Sequence, residues 1–443
     1  MVWIELLVVL LFLYLGVRLG GAGIGLASGV GLAALVFIFK LEPTSPPIDV
    51  MLMILAVVCA ASAMQAAGGL DYLVGLAERL LRSNPKQITF LGPIVTYLFT
   101  FFAGTGHVAY SVLPVIAEVA RETRIRPERP LSISVIASQF AITGGPISAA
   151  MVAMLGLTEA MGMTLPKLML ITAPSTFIAC MITAFICNHL GKELEDDPEY
   201  QRRVAAGLIP PVRPKTAEEL AHMEVKPGAK TSVIIFLIAA IAVVVLGAVP
   251  SLRPTFTHAD GTTTTLQMWH AICIVMLVAA TCILWFTKCD VSALVKGSVF
   301  QAGANALIAI FGIAWAGDTW FNGNSAVINA QLGGVVQSAP WLLAVVLFFF
   351  SVLVNSQAAT TRAIMPLGIA LGIPVPFLAA MFPAVNGYFF VPNYGPIIAA
   401  INFDSTGTTR IGKYVLNHSF MIPGLITVVL SVALGFVMQA IVF

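Results

Sequence analysis

Charge is scarce in this chain. Only 10% of its 443 residues are Asp, Glu, Lys or Arg, 58% are hydrophobic, and mean hydropathy is +0.94. A soluble globular protein carries roughly 25% charged residues, so a soluble fold is excluded. Paired cysteines are also lacking. Cys59, Cys180, Cys187, Cys273, Cys282 and Cys289 form no Cys-x-x-Cys pair, and all lie in or beside apolar runs. That excludes a zinc-ribbon reading and leaves small apolar residues. The six histidines form no His-Glu-x-x-His pattern, so a membrane-embedded metalloenzyme is not expected. Neither an enzyme activity nor a soluble cofactor or metal is implied. With a net charge of +2 and no basic tract, no nucleic-acid partner is expected. No basic residue precedes the apolar run 2–17; Arg18 follows it. A secretory signal has the opposite order, so this run reads as a retained first span with the N-terminus outside.

Long apolar runs are what the chain has in abundance. A span needs about 20 apolar residues to cross a hydrocarbon core of roughly 30 Å. Ten full spans can be placed, at 2–17, 22–40, 49–67, 131–156, 168–189, 231–249, 269–287, 299–316, 376–403 and 414–438. Two further stretches, 87–120 and 340–373, are interrupted by polar or small residues and resume; they read as re-entrant hairpins. In this arrangement nineteen of the 23 Lys and Arg residues fall on inner loops and three on outer segments, with Arg362 inside a hairpin. That is the positive-inside bias, and it puts both termini on the outer face. The stretch 190–230 reads as a solvated cytoplasmic linker.

Multi-span membrane proteins can be built from inverted repeats. Gly145-Pro146-Ile147-Ser148-Ala149-Ala150 matches Gly395-Pro396-Ile397-Ile398-Ala399-Ala400, and the same spacing pairs Thr105 with Asn355. The expected organisation is an extra span over 1–21 and a first repeat over 22–189. The linker 190–230 and a connecting span with its outer loop, 231–268, lead to a second repeat over 269–443. Each repeat holds one hairpin (87–120 or 340–373) and one broken span (131–156 or 376–403). The fold class is an all-α integral membrane protein.

Irregular backbone at membrane depth survives only where protein buries it or where it lines a polar cavity. The tips, Gly104-Thr105-Gly106-His107 and Asn355-Ser356-Gln357, and the breaks, Gly145-Pro146 and Asn393-Tyr394-Gly395-Pro396, therefore mark one central site. Ser148, Thr360 and Arg362 extend the set of candidate substrate-binding residues. Pro146 and Pro396 suit the first turn of a restarting helix, which needs no N–H. The returning hairpin arms and the second halves of the broken spans would supply up to four helix N-termini, each with free N–H groups that favour anions. Arg362 either grips a carboxylate or snorkels to water. His107 is a titrating or a neutral hydrogen-bonding side chain. Asp318 reads either as an outer-surface carboxylate or as a helper in coordinating a cation. A sodium/proton antiporter is the alternative function, and it would want acidic residues at the midplane.

These strings resemble a known family. Gly104-Thr105-Gly106-His107, Arg126-Pro127-Glu128-Arg129-Pro130, Asn355-Ser356-Gln357-Ala358-Ala359, the run from Phe403 to Gly412, and Val415-Leu416-Asn417-His418-Ser419-Phe420 are similar to the anaerobic C4-dicarboxylate carriers, the Dcu family. The resemblance covers essentially the whole chain. It implies a bacterial inner-membrane carrier of fumarate, succinate, malate or aspartate that works by exchange or uptake. It also implies the broader ion-transporter architecture, a homodimeric scaffold with an elevator-like transport domain. Sodium-coupled relatives in that wider group carry Ser-Asn-Thr at both tips. Gly-Thr-Gly and Asn-Ser-Gln stand here instead, so both a proton and a sodium ion stay open as coupling ions.

Overall fold

The computed structural model describes residues 1–19, 21–209, 226–392 and 394–443. It is mostly helical. The one sheet among the described residues is a two-stranded ribbon pairing Thr255–Thr257 with Thr263–Thr265. Seven helical segments of the described chain are long and apolar enough to cross a membrane: Ile48–Ala66, Glu128–Met161, Leu165–Cys187, Ala229–Ala248, Met268–Thr287, Ser298–Ile328 and Met421–Val442. The expected spans 2–17, 22–40 and 376–403 appear as shorter apolar helices, Val2–Gly16, Gly23–Ile38 and Val375–Phe389, the last followed by Gly395–Phe403.

Two expected boundaries differ. The last span, expected from 414, begins as a helix at Met421, and the span expected over 299–316 belongs to a helix that runs unbroken from Ser298 to Ser338. Nothing between these residues is a proline; Pro340 is the first. Polar residues lower hydropathy without breaking a helix. Beyond residue 316 the helix is held by neighbours instead. Asn324 Nδ2 donates to Glu5 Oε2 at 2.7 Å, and Trp320 Nε1 donates to the Val2 carbonyl at 3.2 Å. Lower down, Gly25 and Gly312 let the backbones of two helices touch, because a Cβ on either would overlap main-chain atoms of the other helix.

Two helix–turn–helix units lie within 87–120 and 340–373 and their flanks: Ile88–Ala103 with Ala109–Glu122, and Leu342–Val354 with Gln357–Ala370. At 1.5 Å per residue their first arms rise only about 24 Å and 20 Å before turning back. Each arm ends on a left-handed residue, Gly104 (φ 70°) or Asn355 (φ 51°), the usual way to stop a helix and reverse the chain.

The helix Glu128–Gly144 is the post around which the first hairpin is packed. Every residue from Arg129 to Gly144 is buried, so it has no lipid-facing side, as a helix apolar or small all round requires. Its polar residues Ser138, Gln139 and Thr143 are wholly enclosed, and each therefore needs a hydrogen-bond partner.

The linker departs from its expected form. Its first part is not merely solvated but docks through ion pairs, of which Arg126–Asp197 is buried at both ends. Arg126 Nη1 meets Asp197 Oδ2 at 2.6 Å and Arg126 Nε meets Glu128 Oε2 at 2.6 Å, while Arg129 reaches Glu193 at 2.9 Å. Burial pushes the Asp197 carboxyl up, but the Tyr200 amide, the Arg126 guanidinium and the Glu199 amide outweigh it and hold that carboxyl below the ordinary range. Scattered charges in the linker gave no hint that Asp197 would be paired 71 residues upstream. Residues 210–225 of the linker lie outside the described residues.

Candidate functional site

The four interruptions converge on one cavity of about 450 Å³. From the first hairpin it is lined by Gly104, Thr105 and Gly106, and from the second by Asn355, Ser356 and Gln357. Ile147, Ala149 and Ala150 come from the first break, and Tyr394 and Gly395 from the second. The remaining wall belongs to other helices, with Val57 and Ala61 on Ile48–Ala66 and Gly303, Asn305 and Ala306 on the long helix Ser298–Ser338.

The residues that start four helical segments thus all border this space: Ala149, Gln357 and Gly395 open helices, and Gly106 opens the three-residue 3₁₀ turn that runs into Ala109–Glu122. A helix N-terminus carries about half a positive charge in its unpaired N–H groups, so four of them offer on the order of two positive charges. Part of this capacity is already engaged. Ser148 Oγ accepts the Met151 N–H at 3.1 Å, and Ser356 Oγ accepts the Ala359 N–H at 3.3 Å. No Asp, Glu, Lys or Arg is among the described residues lining the cavity. What the described lining offers a ligand is main-chain N–H groups, hydroxyls and amides.

The remaining candidates stand as follows. Gly145 lies against the first hairpin, where a Cβ would come 2.7 Å from the Phe101 carbonyl. Pro146 sits in the turn before the helix, not in its first turn, because Ser148 is the cap and the helix begins at Ala149. Pro396, by contrast, does occupy the first turn of Gly395–Phe403, as expected. Thr360 is fully buried in the returning arm, and its Oγ1 has no hydrogen-bond partner. Arg362 lies two residues further on and does not line the cavity; its Nη2 sits 3.9 Å from Asp318 Oδ2, with both side chains largely buried. Asp318 therefore belongs to a helix–helix contact, not to the outer surface. The Asn393 residue and the His107 side chain lie outside the described residues.

Behind the cavity is a polar network that sequence reasoning did not single out. Gln357 Nε2 donates to Gln139 Oε1 at 3.2 Å and to Asn386 Oδ1 at 3.3 Å. The Tyr394 hydroxyl also donates to Gln139 Oε1, at 3.2 Å. Asn386 Nδ2 donates to the Pro383 carbonyl at 2.9 Å and to Thr143 Oγ1 at 3.4 Å. Gly106 abuts the Gln139 amide so closely that any Cβ there would overlap it. One glutamine thus touches both hairpin tips and the second break. The available signal was Gln139 itself, an amide amid the otherwise apolar and small residues of a span.

A family model described as anaerobic C4-dicarboxylate membrane transporter matches residues 1–443. The chain belongs to this family. It is 48% identical over 437 residues to the C4-dicarboxylate transporter DcuA of Wolinella succinogenes, covering 99% of both chains. It is 45% identical to DcuA of Escherichia coli K12, again over 99% of both chains. It is 40% identical to the anaerobic C4-dicarboxylate transporter DcuB of Escherichia coli O6:H1, covering 99% of this chain and 98% of that one. Among solved structures, the fold is similar to the Alcanivorax borkumensis YdaH transporter, with a TM-score of 0.58 at 17% identity over 98% of this chain and 97% of that one. It is also similar to Neisseria gonorrhoeae MtrF, an antimetabolite efflux pump, with a TM-score of 0.57 at 13% identity over 98% and 94%. At such identities the likeness concerns the fold alone.

Proposed function

We propose that this member of the family is a secondary carrier of C4-dicarboxylates such as fumarate, succinate, malate and aspartate, working by exchange across the bacterial inner membrane. The observation that carries this reading is a cavity bordered by four helix starts and lined, among the described residues, by no charged side chain. A C4-dicarboxylate brings two negative charges to a site whose helix ends offer about two positive ones. No fixed cation traps it there, so it can leave again on either side. The alternative, a sodium/proton antiporter, wants a carboxylate at the centre, and none of the lining residues supplies one.

The same reading has the two hairpins and two broken spans belong to inverted repeats, 22–189 and 269–443, joined by the linker and the connecting span. Support comes from the tips. Gly104 and Asn355 both close a first arm in left-handed conformation, and their N–H groups bond to Thr100 and Ser351 respectively. Residue by residue these pairs keep one spacing, so Thr105 corresponds to Ser356 and the tips align one residue later than the Gly-Pro match suggests. Alternation between faces is proposed to occur by an elevator-like shift of hairpins and broken spans against the remaining helices within a homodimer, with both termini outside. The coupling ion is a proton or sodium.

The test is labelled fumarate uptake into proteoliposomes loaded with succinate, with fumarate or with buffer. Strong stimulation by internal dicarboxylate is expected. Absence of uptake under every loading, by folded and inserted protein, overturns the reading.

A further inference from the structure

The network behind the cavity has a direction, and that direction is fixed by main-chain atoms. A carbonyl can only accept, so the Pro383 carbonyl forces the NH₂ of Asn386 toward it. Thr143 gives its own hydroxyl proton to the Phe140 carbonyl at 2.8 Å, so it too accepts from Asn386. Both N–H groups of Asn386 are then committed, and its Oδ1 must accept from Gln357. The second N–H of Gln357 goes to Gln139 Oε1, and that oxygen also takes the phenolic proton of Tyr394. The amide nitrogen of the fully buried Gln139 donates to Ser138 Oγ at 3.3 Å, which leaves its carbonyl for these two donors.

The consequence falls on the cavity wall. Gln357 and Tyr394 both line the cavity, and both have their donors turned away from it. What Tyr394 retains for a ligand is its lone pairs. An acceptor of this kind repels a carboxylate oxygen and suits a hydroxyl or ammonium group. We propose that Gln139 is a positioning residue of the site: by holding the protons of Tyr394 and Gln357 it leaves an acceptor facing the ligand, which favours C4-dicarboxylates bearing a donor at C2 over those without one. The inference rests on the proposed transport of dicarboxylates and concerns how that same site discriminates among them. The two carboxylates engage helix starts, while the C2 donor meets the Tyr394 oxygen.

The experiment compares initial uptake efficiency for malate, aspartate and succinate in proteoliposomes bearing wild type, Gln139→Leu or Tyr394→Phe. Leucine fills similar space without a carbonyl, which frees the Tyr394 proton; phenylalanine removes the phenolic oxygen. In wild type, malate and aspartate are taken up more efficiently than succinate. In both variants they lose about tenfold more than succinate does, the scale of one hydrogen bond whose loss leaves a buried polar group unpaired. Parallel loss of all three substrates means that Gln139 is merely structural and overturns the inference, as does an unchanged ratio. If Gln139→Leu fails to insert, the ratio in Tyr394→Phe decides alone. Absence of uptake of any dicarboxylate by wild type removes the transport reading, and this one with it; wild-type uptake without discrimination removes this one alone.

Discussion

The two hairpin tips border the same cavity with opposite chemistry. The first is built of backbone: Gly104 supplies the left-handed turn, Thr105 follows, and Gly106 presses against Gln139 with no room for a side chain. The second is built of side chains: Asn355 makes the turn, Ser356 caps the returning helix, and Gln357 joins the amide network. The second hairpin is also tied to the long helix through Arg362 and Asp318. Two routes thus lead to one result, a helix start aimed at a cavity. A backbone tip is intolerant of added atoms, whereas a side-chain tip is sensitive to removed ones.

That contrast can be broken at several points. The largest effect is expected from Gly106→Val, whose branched side chain cannot fit beside the pinned Gln139 amide. Initial dicarboxylate uptake should fall by on the order of 100-fold, because displaced positioning groups cost that much even at small shifts; uptake within threefold of wild type would show that the first tip tolerates bulk. Next come the turn residues. Gly104→Ala forces a Cβ into left-handed backbone 2.9 Å from the Ile147 carbonyl and should cost about 1–2 kcal/mol of stability. Asn355→Gly should stay within about 0.5 kcal/mol. Thermal unfolding in detergent compares the two, and equal shifts would erase the distinction.

A smaller effect is expected at the ion pair. Both side chains are largely buried, but at 3.9 Å the pair is beyond hydrogen-bond reach, so Arg362→Ala and Asp318→Asn should each change the transport rate by about fivefold, the scale of about 1 kcal/mol. Succinate binding should change little in either variant. If Arg362→Ala weakens succinate binding as strongly as it slows transport, the arginine grips substrate instead. Smallest of all, Ser356→Ala removes one helix cap, at about 1 kcal/mol or less, read as a drop of a few degrees in the unfolding midpoint.

How far the sequence reveals this can be argued from particular residues. The tips and breaks were legible because Gly104, Gly106, Pro146 and Pro396 interrupt apolar runs, and interruption at membrane depth has few explanations. The long helix Ser298–Ser338 was not, since polarity near residue 318 mimics an end when no proline is there to make one. Pro146 was assigned to a helix that in fact begins three residues later, behind Ser148. Asn386 and Gln139 were missed for a different reason. Each reads as an isolated amide among apolar and small neighbours, and only the fold brings them together from positions 247 residues apart. The pairing of Asp197 with Arg126 escaped notice likewise, because charge in a loop is ordinarily solvated and nothing local marks a buried pair.

The central claim is that both tips hold the same dicarboxylate, and it is tested most directly by substrate protection. Cysteine is introduced singly at Thr105 and at Ser356, and the rate of maleimide labelling above the wild-type background is measured with and without succinate. The account predicts that succinate slows labelling at both positions while butyrate, with a single carboxylate, slows neither to the same degree. Protection at one tip alone, or at neither while transport persists, would contradict it.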